Sequence, residues 1–306
     1  MTETRIPLYK KRNLSETISD SMQFMRENWK TFFRCVLIIG APIAIIYGFF
    51  MNRYMGDAMN MSLNENADFT SLNVGINYIL TMLFSMLLYL AAFSTAISLL
   101  KYYEKKDLNT MVFQIDLMPK ILDSSWRLFL LNFVVWLMVV LILALAAGIV
   151  FAISAASASM AIVVGVIFYL LLFAGMIALA PSIMLMNYPL IIEDLSIWDS
   201  IVKGFKLGFK NWGTTIVLIL LGGLILGVIS LIFSGAHILW VTLATSVFEL
   251  GIIGTIISYL LSIISSLSMV ITFPILAILL AFQYFSIIDK TEGKSIQAEI
   301  DHFDSL

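Results

Sequence analysis

Several stretches of this chain run for more than twenty residues without one charged side chain, and this restricts its fold more than any other feature. A helix rises about 1.5 Å per residue, so about 20 apolar residues cover the roughly 30 Å hydrocarbon core of a bilayer. The 306 residues are 60% hydrophobic and 12% charged, with a mean hydropathy of +0.98. Soluble domains carry about 25% charged residues. Insertion into a membrane is the ordinary solution, and helices are the way to satisfy the backbone there.

Spans are expected at 31–51, 74–100, 128–152, 158–186, 214–234 and 258–288. Nothing between Glu249 and Asp289 is charged, and one helix of that length is about twice the bilayer core. Pro274 offers a break there, and whether 235–257 crosses the membrane or lies in the interface stays open. A seven-span alternative would place Lys290 and Lys294 outside. The polar first 30 residues lack the apolar core of a secretory signal, so the first span is expected to remain as an anchor.

Basic residues sort by side. Arg5, Lys10, Lys11, Arg12, Arg26, Lys30 and Arg34 precede or open the first span. Lys101, Lys105, Lys106, Lys120 and Arg127 separate the second from the third, and Lys203, Lys206 and Lys210 separate the fourth from the fifth. Only Arg53 falls on the other side, with Asp57, Glu65 and Asp68. By the positive-inside rule both termini are cytoplasmic.

Parts of the chain repeat. Asn28-Trp29 aligns with Asn211-Trp212, and the same register pairs Glu16 with Asp199, Thr17 with Ser200, Ile18 with Ile201 and Thr31 with Thr214. Tyr188, Ile191, Ile192 and Glu193 recur as Tyr284, Ile287, Ile288 and Asp289, while Trp126, Arg127 and Phe129 mark a fainter middle copy. The expected architecture is one all-α membrane domain, 1–306, of six transmembrane helices in three hairpin units, each preceded by a cytoplasmic-side amphipathic interfacial helix. The parts are an N-terminal segment 1–30, a first hairpin 31–100, a second interfacial segment with its hairpin 101–186, a third 187–288 and a tail 289–306.

Two interfacial helices can be placed by residue. In the first, Leu14, Ile18, Met22, Met25, Trp29 and Phe32 share a face, behind a capping box of Asn13 and Glu16. In the other, Ser196 and Asp199 form a similar start. There Ile197, Ile201, Phe205, Gly208 and Trp212 lie opposite Lys203, Lys206 and Lys210. The acids Glu193 and Asp194 precede this helix, where negative charge is favourable, and can pair with Lys120 or Arg127. With the three lysines they are the candidate contact for a partner or a lipid headgroup.

Chemical constellations are sparse. No Asp, Glu, Lys or Arg falls well inside a span, which disfavours a proton-coupled pump. Cys35 is the only cysteine, and two distant histidines make no metal cluster, so neither metal nor cofactor is expected. Ser234 and His237 lie near each other but lack a glycine-flanked serine motif, and are read as a helix-end serine and an interfacial histidine. Ser94, Thr95, Asn132 and Gln283 are the uncharged polar groups open to a neutral substrate. Gly223 and Gly227 form a GxxxG ridge suited to close packing within the monomer or to a homodimer seam, and Pro42, Pro181 and Pro274 are expected to kink their helices.

The stretch Tyr188 to Trp212, with bulky apolar residues, a glutamate, a polar turn and a helix of small, basic and aromatic residues, resembles the glycerophosphoryl diester phosphodiesterase membrane-domain-like proteins. The tail from Gln283-Tyr284-Phe285 through Glu292-Gly293 resembles uncharacterised six-span proteins of Bacteroidetes bacteria. The resemblance implies a bacterial inner-membrane protein of helical hairpins without the phosphodiesterase domain, and carries over no catalytic residue. The resulting expectation is a non-enzymatic accessory or scaffold component of the envelope. Its partners would be membrane lipids and other envelope membrane proteins, with no nucleic acid and with homo-oligomerisation left open. The alternatives are a channel or carrier for a neutral or lipidic substrate and, third, a lipid-headgroup enzyme using Glu193, Asp194 and Asp199.

Overall fold

A computed structural model describes residues 6–63, 72–106, 108, 111–156, 158–246 and 251–296. Arg5, Glu65, Asp68, Glu249 and the tail beyond Ile296 lie outside the described residues. The elements are α1 (Leu14–Glu27), α2 (Trp29–Leu63), α3 (Leu72–Lys105), a π-helical turn (Phe113–Leu117), α4 (Met118–Ala156) and α5 (Ala158–Leu185). They continue with α6 (Asn187–Ile192), α7 (Ile197–Lys210), α8 (Trp212–Ser246) and α9 (Gly251–Glu292). Six of them, α2, α3, α4, α5, α8 and α9, are long and apolar enough to cross a membrane, which makes this a multi-pass membrane protein.

The centre of the bundle is α9, which packs against α1, α2, α3 and α8. All residues from Ala277 to Asp289 are buried, more than three turns with no exposed face. Such all-round burial needs an all-round apolar helix, and Ala-Ile-Leu-Leu-Ala-Phe supplies it. The polar members of this stretch are bonded: Gln283 Nε2 donates to Thr214 Oγ1 at 3.1 Å and Asp289 accepts the Ser295 N–H at 2.8 Å. At 42 residues α9 is roughly 60 Å long, so it projects well beyond a bilayer core. We call the end of the bundle holding α1, α6, α7 and Asp289 basal, and the opposite end distal.

At the distal end the helices run past the expected span limits. α2 continues to Leu63 and α8 to Ser246 without a break, so 235–246 extends the fifth span rather than lying flat, and no seventh span arises among the described residues. His237 is therefore buried among the helices, its Nε2 3.2 Å from Asn52 Oδ1. Pro42, Pro181 and Pro274 all sit inside continuous helices.

The α4–α5 hairpin stands at the edge. The most apolar stretches of both helices are almost wholly uncovered: Leu145, Phe151, Ile162 and Tyr169 all face outward, and within 132–153 of α4 only Ala146 is buried. α4 also runs unbroken from the π-helical turn through Trp126, Arg127 and Phe129. The interfacial helix expected before the third span is thus not a separate element among the described residues.

Both 14-residue basal helices, α1 and α7, end alike. Asn28 and Asn211 cap them, each with its backbone N–H and its Nδ2 on the carbonyl four residues back, and a tryptophan opens the next helix. Their buried faces are rotated from the expected stripes. In α1, Thr17, Ser21, Phe24 and Met25 are buried while Met22 is exposed, and Trp29 and Phe32 belong to α2 beyond the Asn28 break. In α7, Ser200, Ile201, Gly204, Leu207 and Gly208 are buried.

Glycine explains the α7 contact. A Cβ on Gly204 would fall 2.6 Å from Met186 Cα, and one on Gly208 2.5 Å from Ser182 Cα, so the two backbones touch only because both positions lack side chains. The GxxxG of Gly223 and Gly227 does the reverse of what was expected within the monomer: added Cβ atoms there meet nothing within 4 Å.

The N-terminal segment, read from sequence only as polar, is docked. Ile6, Leu8 and Arg12 are buried, and the Ile6 N–H donates to the Tyr103 hydroxyl at 3.0 Å. The Arg12 guanidinium has no exposed surface. It donates to Asp20 Oδ2 at 2.8 Å, to the carbonyls of Leu8 at 2.7 Å and Lys10 at 3.3 Å, and to that of Pro7. It also lies 5.0 Å from the Phe282 ring centroid. On the backbone, Arg12 N–H donates to Ser286 Oγ at 2.9 Å and its carbonyl accepts from Lys290 at 2.6 Å.

Two outcomes follow for thermal unfolding in lipid nanodiscs. Gly204→Ala and Gly208→Ala each destabilise by about 1–3 kcal/mol, the cost of forcing atoms into a packed seam, whereas Gly223→Ala leaves the transition in place. Arg12→Lys lowers the transition and opens residues 6–13 to protease, because one ammonium cannot replace a buried fork that reaches four acceptors.

Candidate functional site

Glu193 and Asp194 sit where the basal elements meet, at the turn between α6 and α7. All six residues of α6 are buried, which fixes the approach, and Ser196 starts α7 as its N-cap by accepting the Asp199 N–H at 3.2 Å. Between them Asp194 adopts a left-handed backbone, φ +56°. This reversal sends the two neighbouring carboxylates in different directions.

Glu193 turns inward, its side chain 14% exposed. It accepts from Lys203 Nζ at 2.7 and 2.9 Å and from the Tyr284 hydroxyl. Lys203 also reaches Glu292 Oε1 at 2.7 Å, so one ammonium lies between two carboxylates and ties α7 to the end of α9. Burial alone would push the Lys203 pKa down, but the hydrogen bonds it donates to Glu193 and Glu292 outweigh it and hold the pKa above the ordinary value. Tyr284 stacks on Tyr188, centroids 5.4 Å apart, and the Tyr188 hydroxyl donates to the Ala277 carbonyl at 2.8 Å.

Asp194 turns outward, its side chain 62% exposed. Lys101 of α3 meets it at 2.5 Å and Arg127 of α4 at 3.0 Å. The same cations hold the turn itself, Lys101 through the Ile191 carbonyl at 2.7 Å and Arg127 through that of Leu195 at 2.9 Å. Burial acts to raise the Asp194 pKa, yet the hydrogen bonds from Lys101 and Arg127 prevail and keep it below the usual carboxylate range. Arg127 is thus a partner anticipated from sequence. Lys120 is not one: it stands 5.4 Å from the Tyr102 ring centroid.

The five candidate contact residues therefore divide. Glu193 and Lys203 come together as one brace, and Asp194 belongs to another. Lys206 and Lys210 are exposed with no ion pair among the described residues. Trp198, Val202 and Phe209 are exposed on the same helix, so α7 shows the outside an apolar stripe as well as two lysines.

Two cavities flank the crossing of α3 and α4, where Ser94 Oγ meets Ser125 Oγ at 2.7 Å and Ser98 Oγ meets Ser124 Oγ at 3.3 Å. One, of about 400 Å³, is walled by cations, among them Lys101, Lys105, Lys120 and Arg127. The other, of about 480 Å³, is apolar and lies between α2, α3 and α4, against Ile39, Leu87, Trp126 and Phe129. Neither was visible in sequence, because the walls depend on how α2, α3 and α4 cross, which spacing along any one helix does not give.

The four uncharged polar candidates are engaged in helix seams. Besides Ser94 and Gln283, Thr95 donates to the Ala91 carbonyl at 2.6 Å, and Asn132 donates to the Leu128 carbonyl at 2.8 Å and to Asn187 Oδ1 at 3.3 Å. Ser234 is mid-helix, not at a helix end, and donates to the Ser230 carbonyl at 2.6 Å while His237 bonds Asn52. Among the described residues no group of His, Cys, Asp and Glu is placed to hold a metal ion.

The braces predict a pH dependence with opposite signs. A carboxyl depressed in the folded state contributes stability that is present above its ordinary pKa of about 4 and lost as pH falls through the lower folded value. A raised lysine contributes stability that is present below about pH 10 and lost as pH rises through its folded pKa. Unfolding followed from acid to alkali should lose its acid slope in Asp194→Asn and its alkaline slope in Lys203→Gln, each variant being less stable than the parent at neutral pH.

No family model matches this chain, and no curated protein and no solved structure matches it either.

Proposed function

We propose that the chain is a non-enzymatic multi-pass protein of a bacterial inner membrane, an accessory or scaffold component that meets lipids and other envelope proteins through its basal end. The observation that carries this is the way α7 is held. Its glycine face is seated on α5 and Lys203 is clamped between Glu193 and Glu292, so the helix presents Trp198, Val202 and Phe209 beside Lys206 and Lys210 in a fixed orientation. Apolar side chains beside cations suit the boundary of an anionic leaflet, where each lysine is worth roughly 1 kcal/mol, and they suit the docking of a neighbouring membrane protein equally.

The basal end is the cytoplasmic one in this reading, since it gathers Lys101, Arg127, Lys203 and Lys290 while Arg53 lies distally. The finer architecture is three repeated units, each a hairpin behind an interfacial segment. Equal lengths and equal Asn caps in α1 and α7 support it, with the π-helical turn in the corresponding place of the middle unit. A bacterial origin rests on the resemblances noted for the stretch 188–212 and for the segment from Gln283 to Gly293.

A second reading, a carrier or binder of a lipidic substrate, is favoured by the apolar cavity between α2, α3 and α4. The two separate in one experiment: purification from the native membrane without delipidation, with proteins and lipids quantified together by mass spectrometry. A stoichiometric protein partner, lost from a Trp198→Ala, Lys206→Glu, Lys210→Glu variant of unchanged abundance, is the outcome expected of a scaffold. Absence of any partner, with one lipid strongly enriched, sinks the scaffold in favour of the lipid reading.

A further inference from the structure

The cationic cavity at the α3–α4 crossing is separate from the outward face of α7, and among the described residues its cations outnumber its acids. Setting aside Lys106, which has an interaction of its own, Lys101, Lys105, Lys120 and Arg127 reach its walls beside three carboxylates, Asp116, Asp123 and Asp194. Asp116 is occupied locally, accepting the Val112 N–H at 2.8 Å, and Asp194 already takes Lys101 and Arg127. Lys105 has no ion-pair partner among the described residues, and Lys120 meets only the Tyr102 ring there. The volume of about 400 Å³ lies in the range of small-molecule sites.

Lys101 and Arg127 come from different helices and converge on one point, which the Asp194 carboxylate fills at 2.5 and 3.0 Å. That carboxylate is an internal anion on a short tether, exposed at the cavity edge, and its backbone is left-handed although the residue is not glycine. A backbone of this kind persists when surrounding contacts over-determine it.

We propose that this cavity binds a phosphate monoester, and that Asp194 is its resident competitor, displaced from Lys101 and Arg127 when the phosphate enters. A monoester dianion carries about twice the charge of the carboxylate and offers three acceptor oxygens in place of two. The guanidinium fork of Arg127 fits such a group, and Lys105 and Lys120 supply the additional positive charge. A lipid headgroup in the adjacent leaflet and a soluble phosphate ester share this chemistry. The site does not depend on the scaffold reading, because either a scaffold or a carrier can hold such a ligand.

Lys101 and Arg127 also anchor backbone carbonyls, so the test leaves them intact. The full chain is reconstituted in phosphatidylcholine nanodiscs, and its melting temperature is followed by tryptophan fluorescence during titration with inorganic phosphate, against sodium chloride at equal ionic strength. A second arm replaces part of the phosphatidylcholine with phosphatidic acid. The proposal expects a saturable rise in melting temperature in at least one arm, weakened by about tenfold in apparent affinity in Lys105→Ala, Lys120→Ala. It expects the same response at lower concentration in Asp194→Asn, where the competitor has lost its charge. Saturation with inorganic phosphate identifies a soluble ester site, and a response to phosphatidic acid alone identifies a headgroup site. A response no greater than that to chloride in both arms overturns the proposal. So does an unchanged response in the double lysine variant, or an unchanged or weaker one in Asp194→Asn, which would leave Asp194 a purely structural ion.

Discussion

The basal end of this protein depends on one lysine held between two glutamates. Lys203 reaches Glu193 at 2.7 Å and Glu292 at 2.7 Å, and those acids lie on the turn after α6 and at the last residue of α9. A charge this far withdrawn from water is stable only when its partners are fixed. The fixing comes from the packing around it: Tyr284 donates to Glu193, Tyr188 stacks on Tyr284, and α7 lies directly on the α5 backbone. Each contact restrains the position of another, so the ionic cluster and the apolar core beneath it form one unit.

The neighbouring carboxylate does a separate job because the backbone reverses between them. With Glu193 committed to α7 and α9, Asp194 is turned toward α3 and α4. A single dipeptide thereby joins four helices from three parts of the chain. Arg12 does the same for the N-terminal segment, joining it to Asp20 and to the Phe282 ring on α9.

Much of this was legible in sequence where the signal was local. The six spans follow from uninterrupted apolar length, and the Asn13–Glu16 box and the Ser196 cap from residue spacing. Arg127 was one of two cations, with Lys120, expected to pair with the acids at 193–194, and it is the one that does. What stayed hidden depends on distant neighbours. Arg12 looked like another interfacial cation, but Ser286, which receives its backbone N–H, lies 274 residues away in the chain. Gly223 and Gly227 were read as a packing ridge but face open space, whereas Gly204 and Gly208, not singled out as a ridge, are the pair whose backbone lies against Met186 and Ser182. The protein-buried faces of α1 and α7 differ from their apolar stripes for a related reason. Burial there follows small residues such as Thr17, Ser21, Gly204 and Gly208, whose value is close approach and not hydrophobicity.

The α4–α5 hairpin meets the rest of the protein at its basal half and leaves its most apolar turns uncovered. In a bilayer those turns are solvated by acyl chains on nearly every side, so protein packing does not set their inclination. Membrane thickness does, since a helix longer than the hydrocarbon slab tilts to fit it. At 39 residues α4 is roughly 58 Å long, nearly twice that slab. The pair is tied to the bundle near the serine-lined crossing of α3 with α4 and where α7 lies on α5, and the greater part of its length projects beyond those contacts.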